Sequence, residues 1–526
     1  MTQAPRRLGE VTPLVRRLTV APDPLALFSA LTDGGRRPDT LLLESADRPH
    51  GERSILVLGC AARMTARGEH VEVTALTASG IDALAFMRAR LERYADGDDS
   101  DARALRLRIS QPAGEKSESA RFEAPSPLDA LRVMAMGWTL TSRPCALPLL
   151  AVGVFAYDLI DGFEALPPAR EDALGYPDFV FWLPERMVVI DHRESSTTVV
   201  SLAFGGPAGE RAHADAVASI EALSRACDEA QGVAPASAPA SASAAPAPAV
   251  DIDDAAFRQV VSRAREHVVA GDVFQIVASR TFSAPCADPL AAYARLRALN
   301  PSPYMFYVRR DEDTLFGASP ETCVKVSGGR VEIRPIAGTR PRGRVGGVVD
   351  DDLDSRYEAE LRTDEKELAE HMMLVDLARN DVARVSEAGT RRVDRLLTVE
   401  RYSHVMHLVS YVSGRLRAGY DALHAYAASM NMGTLVGAPK VKAATLLRGL
   451  EATRRGPYGG AVGYVSCDGE MDSAIIIRSA LVRDGVAHVR AGAGIVYDSD
   501  PQAEAMETRR KAQAVITALG AAGEAG

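Results

Sequence analysis

Three things are scarce in this chain of 526 residues. Cysteine is sparse and scattered: Cys60, Cys145, Cys227, Cys286, Cys323 and Cys467 make no CxxC pair and no regular spacing. That argues against a zinc site or a disulfide framework, because both need cysteines at set intervals. Nor does any cysteine sit in a strand-to-helix nucleophile context. Long apolar runs are missing too. No stretch approaches the roughly 20 apolar residues that cross a bilayer. Met1 to Val20 alternates arginines with short apolar runs instead of a leader's continuous apolar core. The expected location is the cytoplasm. Finally, positive charge is in deficit: 61 Lys and Arg stand against 70 Asp and Glu, a net charge of -9. Non-specific nucleic-acid binding, which needs clustered positive charge, is disfavoured. An anionic small molecule would have to be held by local arginines and backbone N–H groups.

What is present is an ordinary globular composition, 47% apolar and 25% charged. The length can bury a large core in about two or three folding units. Residues 232–250 are almost wholly Ala, Pro and Ser, which cannot pack a core and reads as a linker. It separates an N-terminal region, 1–231, from a C-terminal region, 251–526, although strands can pair across such a linker. Apolar runs such as Leu41-Leu42-Leu43, Ile55 to Leu58 and Leu150 to Tyr157 predict strands, as do 178–183 and 187–191. Helical spacing marks 254–271, 363–379 and 501–518. Strands and helices mix without strict alternation, so the fold class is α+β, with large antiparallel sheets.

Past the middle, Thr322 to Val326 and Val331 to Ile333 flank Gly328-Gly329, a hairpin pattern. Its outgoing strand delivers Arg334-Pro335-Ile336-Ala337-Gly338-Thr339-Arg340 into what reads as a loop. There Gly338 allows close approach and Thr339 offers a hydroxyl beside arginines. An ordinary turn with solvated arginines looks the same. Glu367 and Glu370 lie at i and i+3 on one helix, as Glu504 and Glu507 do on the last. Each pair projects from one face. Two acidic pairs suit Mg²⁺, a hard cation with oxygen ligands, but also describe two solvated helix faces. Arg478, directly after three isoleucines on what reads as the strand Ile475 to Ser479, risks burial and calls for an acidic or ligand partner. Gly492-Ala493-Gly494, reading as the exit of a strand, could present N–H groups to a carboxylate. His407 on a strand could be a general acid or base, or a structural histidine. Glu321 could protonate a leaving group, and Tyr458 could offer a phenol or cap a sheet edge.

Together these pieces resemble the chorismate-utilising enzymes, and within them the branch that forms anthranilate. The resemblance runs through Gly271 to Gln275, Ser302 to Met305, Ala318 to Glu321, Pro335 to Arg340, Lys366 to Asp381, Gly433 to Lys440, Gly459 to Tyr464 and Ala491 to Gln502. It implies large antiparallel sheets forming a sandwich flanked by helices. It also implies that Gly338, Thr339, Tyr458, Arg478 and Gly492, Ala493, Gly494 hold chorismate, and that Glu370 and Glu507 ligate Mg²⁺, supported by Glu367 and Glu504. Glu321 is placed as general acid, His407 in the elimination steps, and Gln275 and Thr434 beside them as catalytic positions. Members that activate water carry lysine where Gln275 stands. Members that form a covalent intermediate carry lysine where Ala337 stands. Both departures imply ammonia as nucleophile, with anthranilate and pyruvate as products.

The N-terminal Leu42-Leu43-Glu44-Ser45 resembles the family's tryptophan feedback motif, working with Pro303, Tyr304 and Met305 across the linker. By sequence alone it is a strand entering a turn. No recognisable glutaminase sequence is present, so the resemblance implies a separate glutamine amidotransferase subunit, in a heterotetramer of two large and two small subunits. The alternatives are another chorismate enzyme, making aminodeoxychorismate, isochorismate or salicylate, or a catalytically silent tryptophan sensor.

Overall fold

Aliphatic and β-branched runs set the strands, and the structure, a computed structural model, describes residues 7–46, 53–96, 101–110, 118–233, 247–402 and 405–520. The N-terminal half contributes β1 (Thr40–Glu44), β2 (Arg53–Arg67), β3 (Leu150–Phe155) and β4 (Phe179–Asp191). Next come α1 (Asp254–Val269), β5 (Gln275–Pro285), β6 (Tyr304–Arg309), β7 (Asp313–Ser319), β8 (Thr322–Ser327), β9 (Arg330–Ile333) and β10 (Ile336–Pro341). They are followed by α2 (Glu365–Val385), β11 (Val405–Arg415), the short α3 (Gly433–Val436) and α4 (Lys440–Leu450). The chain closes with β12 (Ala461–Ser466), β13 (Met471–Ile475), β14 (Ser479–Arg483), β15 (Val486–Ile495) and α5 (Pro501–Leu519).

These strands pair antiparallel, and the pairing crosses between the two halves. Glu44 of β1 lies opposite Met305 of β6, and Phe155 of β3 opposite Ala461 of β12. The fold is thus α+β, with antiparallel sheets packed into a sandwich flanked by helices. Its larger core includes Phe155, Phe181 and Trp182, with Phe155 stacked 4.0 Å from Tyr426. A second core joins Leu42, Tyr293 and Tyr307 to Val515 and Ile516 of α5. Each large side chain buried there contributes about 1.5–3 kcal/mol. Most of the linker lies outside the described residues; its end, Ala249 and Val250, pairs with Ser283 and Phe282.

Several local expectations change. Residues 336–341 are a strand rather than a loop: β10 pairs with β11, with a bulge between Ala337 and Thr339. Gly338, at φ +77°, makes that bulge, because the left-handed region is open to glycine. The two strands expected at 178–183 and 187–191 are one, since Pro184 sits at a bulge opposite Cys60. Arg478 is not on a strand. It breaks the run between β13 and β14 at φ +49°. Gly492-Ala493-Gly494 lies within β15, paired with Ser279-Ala278-Val277, and is not a strand exit.

Candidate active site

β5, β10, β11 and β15, with α2, α3 and α5, enclose a cavity of about 660 Å³. Strand alternation decides which residues face it. On β5 these are Gln275 and Val277; on β15 they include Arg490, Gly492 and Gly494, with Ala491 at the edge. Ala493, fully buried, points to the other side and does not line the cavity. Every other catalytic, substrate and metal candidate named from the sequence does line it.

Glu321 follows β7 and is only 8% exposed. Burial pushes its carboxyl up to about 7, against smaller opposing effects of a hydrogen bond from Thr434 and the charge of Lys511. Thr434 Oγ1 donates to Glu321 Oε1 at 3.0 Å, which orients the acid. A carboxyl poised there keeps a proton near neutral pH and can give it away.

His407 lies opposite Thr339 across the β10–β11 ladder. Its Nδ1 is 2.9 Å from Thr339 Oγ1 and 3.3 Å from the Gly338 carbonyl. A carbonyl only accepts, so a proton on Nδ1 satisfies it and leaves Nε2 basic. Burial, only partly offset by the Gly338 carbonyl, holds the imidazole below its ordinary value. By contrast His371 is fully buried, with Nε2 2.7 Å from Ser410 Oγ, and belongs to the packing of α2.

Arg478 is a cation of the cavity wall. Burial lowers its pKa against the smaller opposing charges of Tyr458 and Glu507, and no ion pair or hydrogen bond to its guanidinium is found among the described residues. Of the two partners its sequence context calls for, the acidic one acts only through the charge of Glu507 without a direct ion pair, which leaves the guanidinium open to a ligand. Gly338 and Gly492 keep the neighbouring walls thin. A Cβ on Gly338 would meet Leu361 Cδ1 at 3.0 Å; one on Gly492 would meet the Ala278 carbonyl at 2.9 Å and the Tyr458 hydroxyl at 3.1 Å. Gly338→Ala therefore combines backbone strain with crowding. It is expected to destabilise the fold by about 1–3 kcal/mol and weaken anion binding, as thermal melts and ligand titration would show.

The acidic pairs enter from α2 and α5. Burial, then the charge of Glu367, raises the Glu370 carboxyl; burial, and less strongly Glu507, raises Glu504. Glu504 Oε2 and Gln275 Oε1 are buried without a hydrogen-bond partner. Glu367 is bridged by Arg340 at 3.1 Å and Glu507 by Lys511 at 2.6 Å. No group of three or more potential ligands is drawn together among the described residues. Mg²⁺ does not need one, because it binds through one or two carboxylates and retains water. Oxygen donors, a mutual charge that raises two of the carboxyls, and an orphaned carboxylate oxygen fit such a cation.

Sequence reading missed Lys511. Its Nζ lies 3.1 Å from the Gly492 carbonyl and ion-pairs with Glu507 one helical turn earlier. The i, i+4 spacing from Glu507 was the available signal.

A second cavity, about 720 Å³, is lined by Glu44, Ser45, Pro303, Tyr304 and Met305. Ser45 Oγ donates to the Pro303 carbonyl at 2.8 Å. The Glu44 carboxylate is engaged by Arg297 and the Tyr293 hydroxyl, so its charge is already satisfied. Pro320 and Ile336 line both cavities.

A cavity with a carboxyl raised to about 7, a half-buried arginine with no ion pair among the described residues, and facing acidic pairs is that of an enzyme acting on a small anion. The chain belongs to the chorismate binding enzyme family, whose profile matches residues 93–517. It is 48% identical over 502 residues to anthranilate synthase component 1 of Vibrio cholerae, covering 94% of each chain. It is 46% identical to the component 1 of Salmonella typhimurium, covering 95% of each. Among solved structures, anthranilate synthase component I from Streptococcus pneumoniae matches with a TM-score of 0.67 and 29% identity, covering 88% of this chain and 92% of that one. The menaquinone-specific isochorismate synthase of Escherichia coli, 18% identical with a TM-score of 0.65 over 98% of this chain and 96% of that one, shares the fold.

Proposed function

We propose that the chain is the chorismate-converting component of a cytoplasmic anthranilate synthase, forming anthranilate and pyruvate from chorismate and ammonia. The observation that carries this reading is Arg478, whose guanidinium makes no ion pair or hydrogen bond among the described residues, lining the same cavity as a carboxyl raised to about 7. Arg478, Tyr458 and the Gly338 and Gly492–Gly494 backbone take the substrate's carboxylates. Glu370 and Glu507, supported by Glu367 and Glu504, would hold Mg²⁺, which when bound neutralises the ring carboxylate.

Glu321 gives its proton to the C4 hydroxyl, which leaves as water while the ammonia nitrogen bonds to ring C2. The added nitrogen gives its extra proton back to the Glu321 carboxylate. A base then takes the C2 proton, the enolpyruvyl C–O bond breaks, and the ring becomes aromatic as the enolpyruvyl group, gaining a proton on its methylene, departs as pyruvate. His407, with Nε2 basic, is assigned that deprotonation. Gln275 supplies no base to deprotonate water, and Ala337 leaves C2 open, so ammonia is the nucleophile. Arg478→Gln is expected to weaken equilibrium chorismate binding about 10- to 100-fold, the loss of a charge-assisted pair. Unchanged affinity would sink the assignment.

The component naming of the relatives supports a second subunit. That subunit is proposed to be a glutamine amidotransferase supplying ammonia, in a tetramer of two large and two small chains. L-Tryptophan is proposed to fill the cavity at Glu44, Ser45, Pro303, Tyr304 and Met305. It would inhibit by favouring a less active arrangement, and its wall at Pro320 adjoins Glu321. Ser45→Ala should raise the tryptophan concentration for half inhibition about tenfold; an unshifted inhibition curve would remove the site.

A further inference from the structure

One face of the β5–β15 ladder carries more than the catalytic cavity. Beyond Gln275 and Val277 on β5, and Gly492 and Gly494 on β15, the same face continues through Ser279 and Arg490 to Thr281, Ser283 and His488. Those last three line another cavity, of about 380 Å³. Arg490 and Tyr458 line both. The partition between them is a buried cluster centred on Glu451, the residue that ends α4.

Glu451 is 7% exposed, Arg455 2% and Arg490 8%. Burial alone would raise the Glu451 carboxyl, but Arg455 and then Arg490 outweigh it and hold it below the usual range. Glu451 Oε1 accepts from the Ser279 N–H at 2.9 Å, the Ser279 hydroxyl at 2.6 Å and Arg455 at 2.6 Å. Its Oε2 accepts from Arg455 at 2.8 Å and Arg490 at 3.0 Å. Arg455 also donates to the Leu435 carbonyl at 2.5 Å and the Val277 carbonyl at 2.7 Å, both residues of the catalytic wall. Its guanidinium lies 4.4 Å from the Tyr157 ring centre and 5.9 Å from that of Tyr458. Arg490 donates from Nε to Ser279 Oγ at 2.8 Å and stands two residues from Gly492.

A buried arginine–glutamate–arginine triad is weak as a source of stability, since desolvation costs several kcal/mol per ion and apolar residues fill such space as well. What it supplies is position. We propose that Glu451 is a positioning residue: through Arg490 and Arg455 it fixes the Gly492–Gly494 backbone and the Tyr458 ring that receive the substrate carboxylate, and it closes the catalytic cavity off from its neighbour. This rests on the catalytic cavity being the chorismate site. Glu451 touches no substrate, so its removal loosens binding and leaves the proton transfers of Glu321 and His407 in place.

The test compares steady-state kinetics of the wild-type chain, Glu451→Gln and Ser279→Ala with chorismate, Mg²⁺ and ammonium, alongside thermal melts. Glu451→Gln is expected to raise the chorismate KM about 10- to 100-fold while kcat per folded molecule stays within about threefold, the signature of lost uniform binding. Ser279→Ala, which removes one donor to Glu451 and the acceptor of Arg490 Nε but keeps the ion triad, is expected to raise KM about three- to tenfold with the fold intact. A purely structural role would lower the melting temperature and the folded yield but leave the KM of folded enzyme at the wild-type value; that result in either folded variant overturns the proposal. If Glu451→Gln does not fold, Ser279→Ala decides alone. Wild-type chain that fails to turn over chorismate would overturn the functional reading itself, and this proposal with it.

Discussion

Glu321→Gln will lower chorismate turnover about 10²- to 10⁴-fold, the range expected when a positioned general acid is removed. The substitution keeps the side-chain shape and the contact with Thr434, so chorismate binding should stay near the wild-type value. In the wild-type enzyme the working form is the protonated one. Because burial raises this carboxyl to about 7, activity should fall as pH rises through that value. His407 sets the other limb. Its pKa is lowered from the ordinary histidine value, so its basic form is lost only at lower pH. The pH profile of kcat/KM is therefore bell-shaped, and the alkaline limb should vanish from the residual activity of Glu321→Gln. A variant retaining wild-type turnover, or an unchanged alkaline limb, would refute the role.

Replacing both Glu370 and Glu507 with glutamine will remove essentially all Mg²⁺-supported activity, a loss of about 10³-fold or more, with partial recovery at high Mg²⁺. Either single change should raise the Mg²⁺ concentration for half activity. Chelation of the wild-type enzyme should abolish turnover, and added Mg²⁺ should restore it. The raised carboxyls of Glu370 and Glu504 bind protons more readily than ordinary glutamates, so Mg²⁺ affinity should weaken as pH falls through their titration. Lys511, paired with Glu507, competes with the cation for the same carboxylate. Lys511→Met is accordingly expected to tighten Mg²⁺ binding while weakening substrate binding. Metal dependence that survives the double substitution unchanged would contradict the assignment.

The acidic pairs were legible in the sequence because helical spacing puts i and i+3 on one face, and α2 and α5 form as that spacing predicts. Arg478 was legible as an anomaly, a charge after three isoleucines. Its left-handed backbone and the break it makes between β13 and β14 were not, because nothing in an apolar run marks positive φ. The opening of β10 was misread for a related reason. Gly338 signals a turn, but pairing with β11 absorbs it as a bulge, and that pairing is a long-range contact. The Gly492–Gly494 stretch is likewise kept in a strand by β5, more than 200 residues away in the chain. Glu451 and Arg490 were invisible as site residues. Their meaning lies in a shared partner, Ser279, that only the folded sheet brings between them.

The most direct measurement incubates the purified chain with chorismate, Mg²⁺ and ammonium and follows anthranilate fluorescence together with pyruvate. The expected result is anthranilate and pyruvate in equal amounts, dependent on ammonium and absent with water alone as nucleophile. A hydroxylated product, a 4-amino product, or no turnover at all would contradict the assignment.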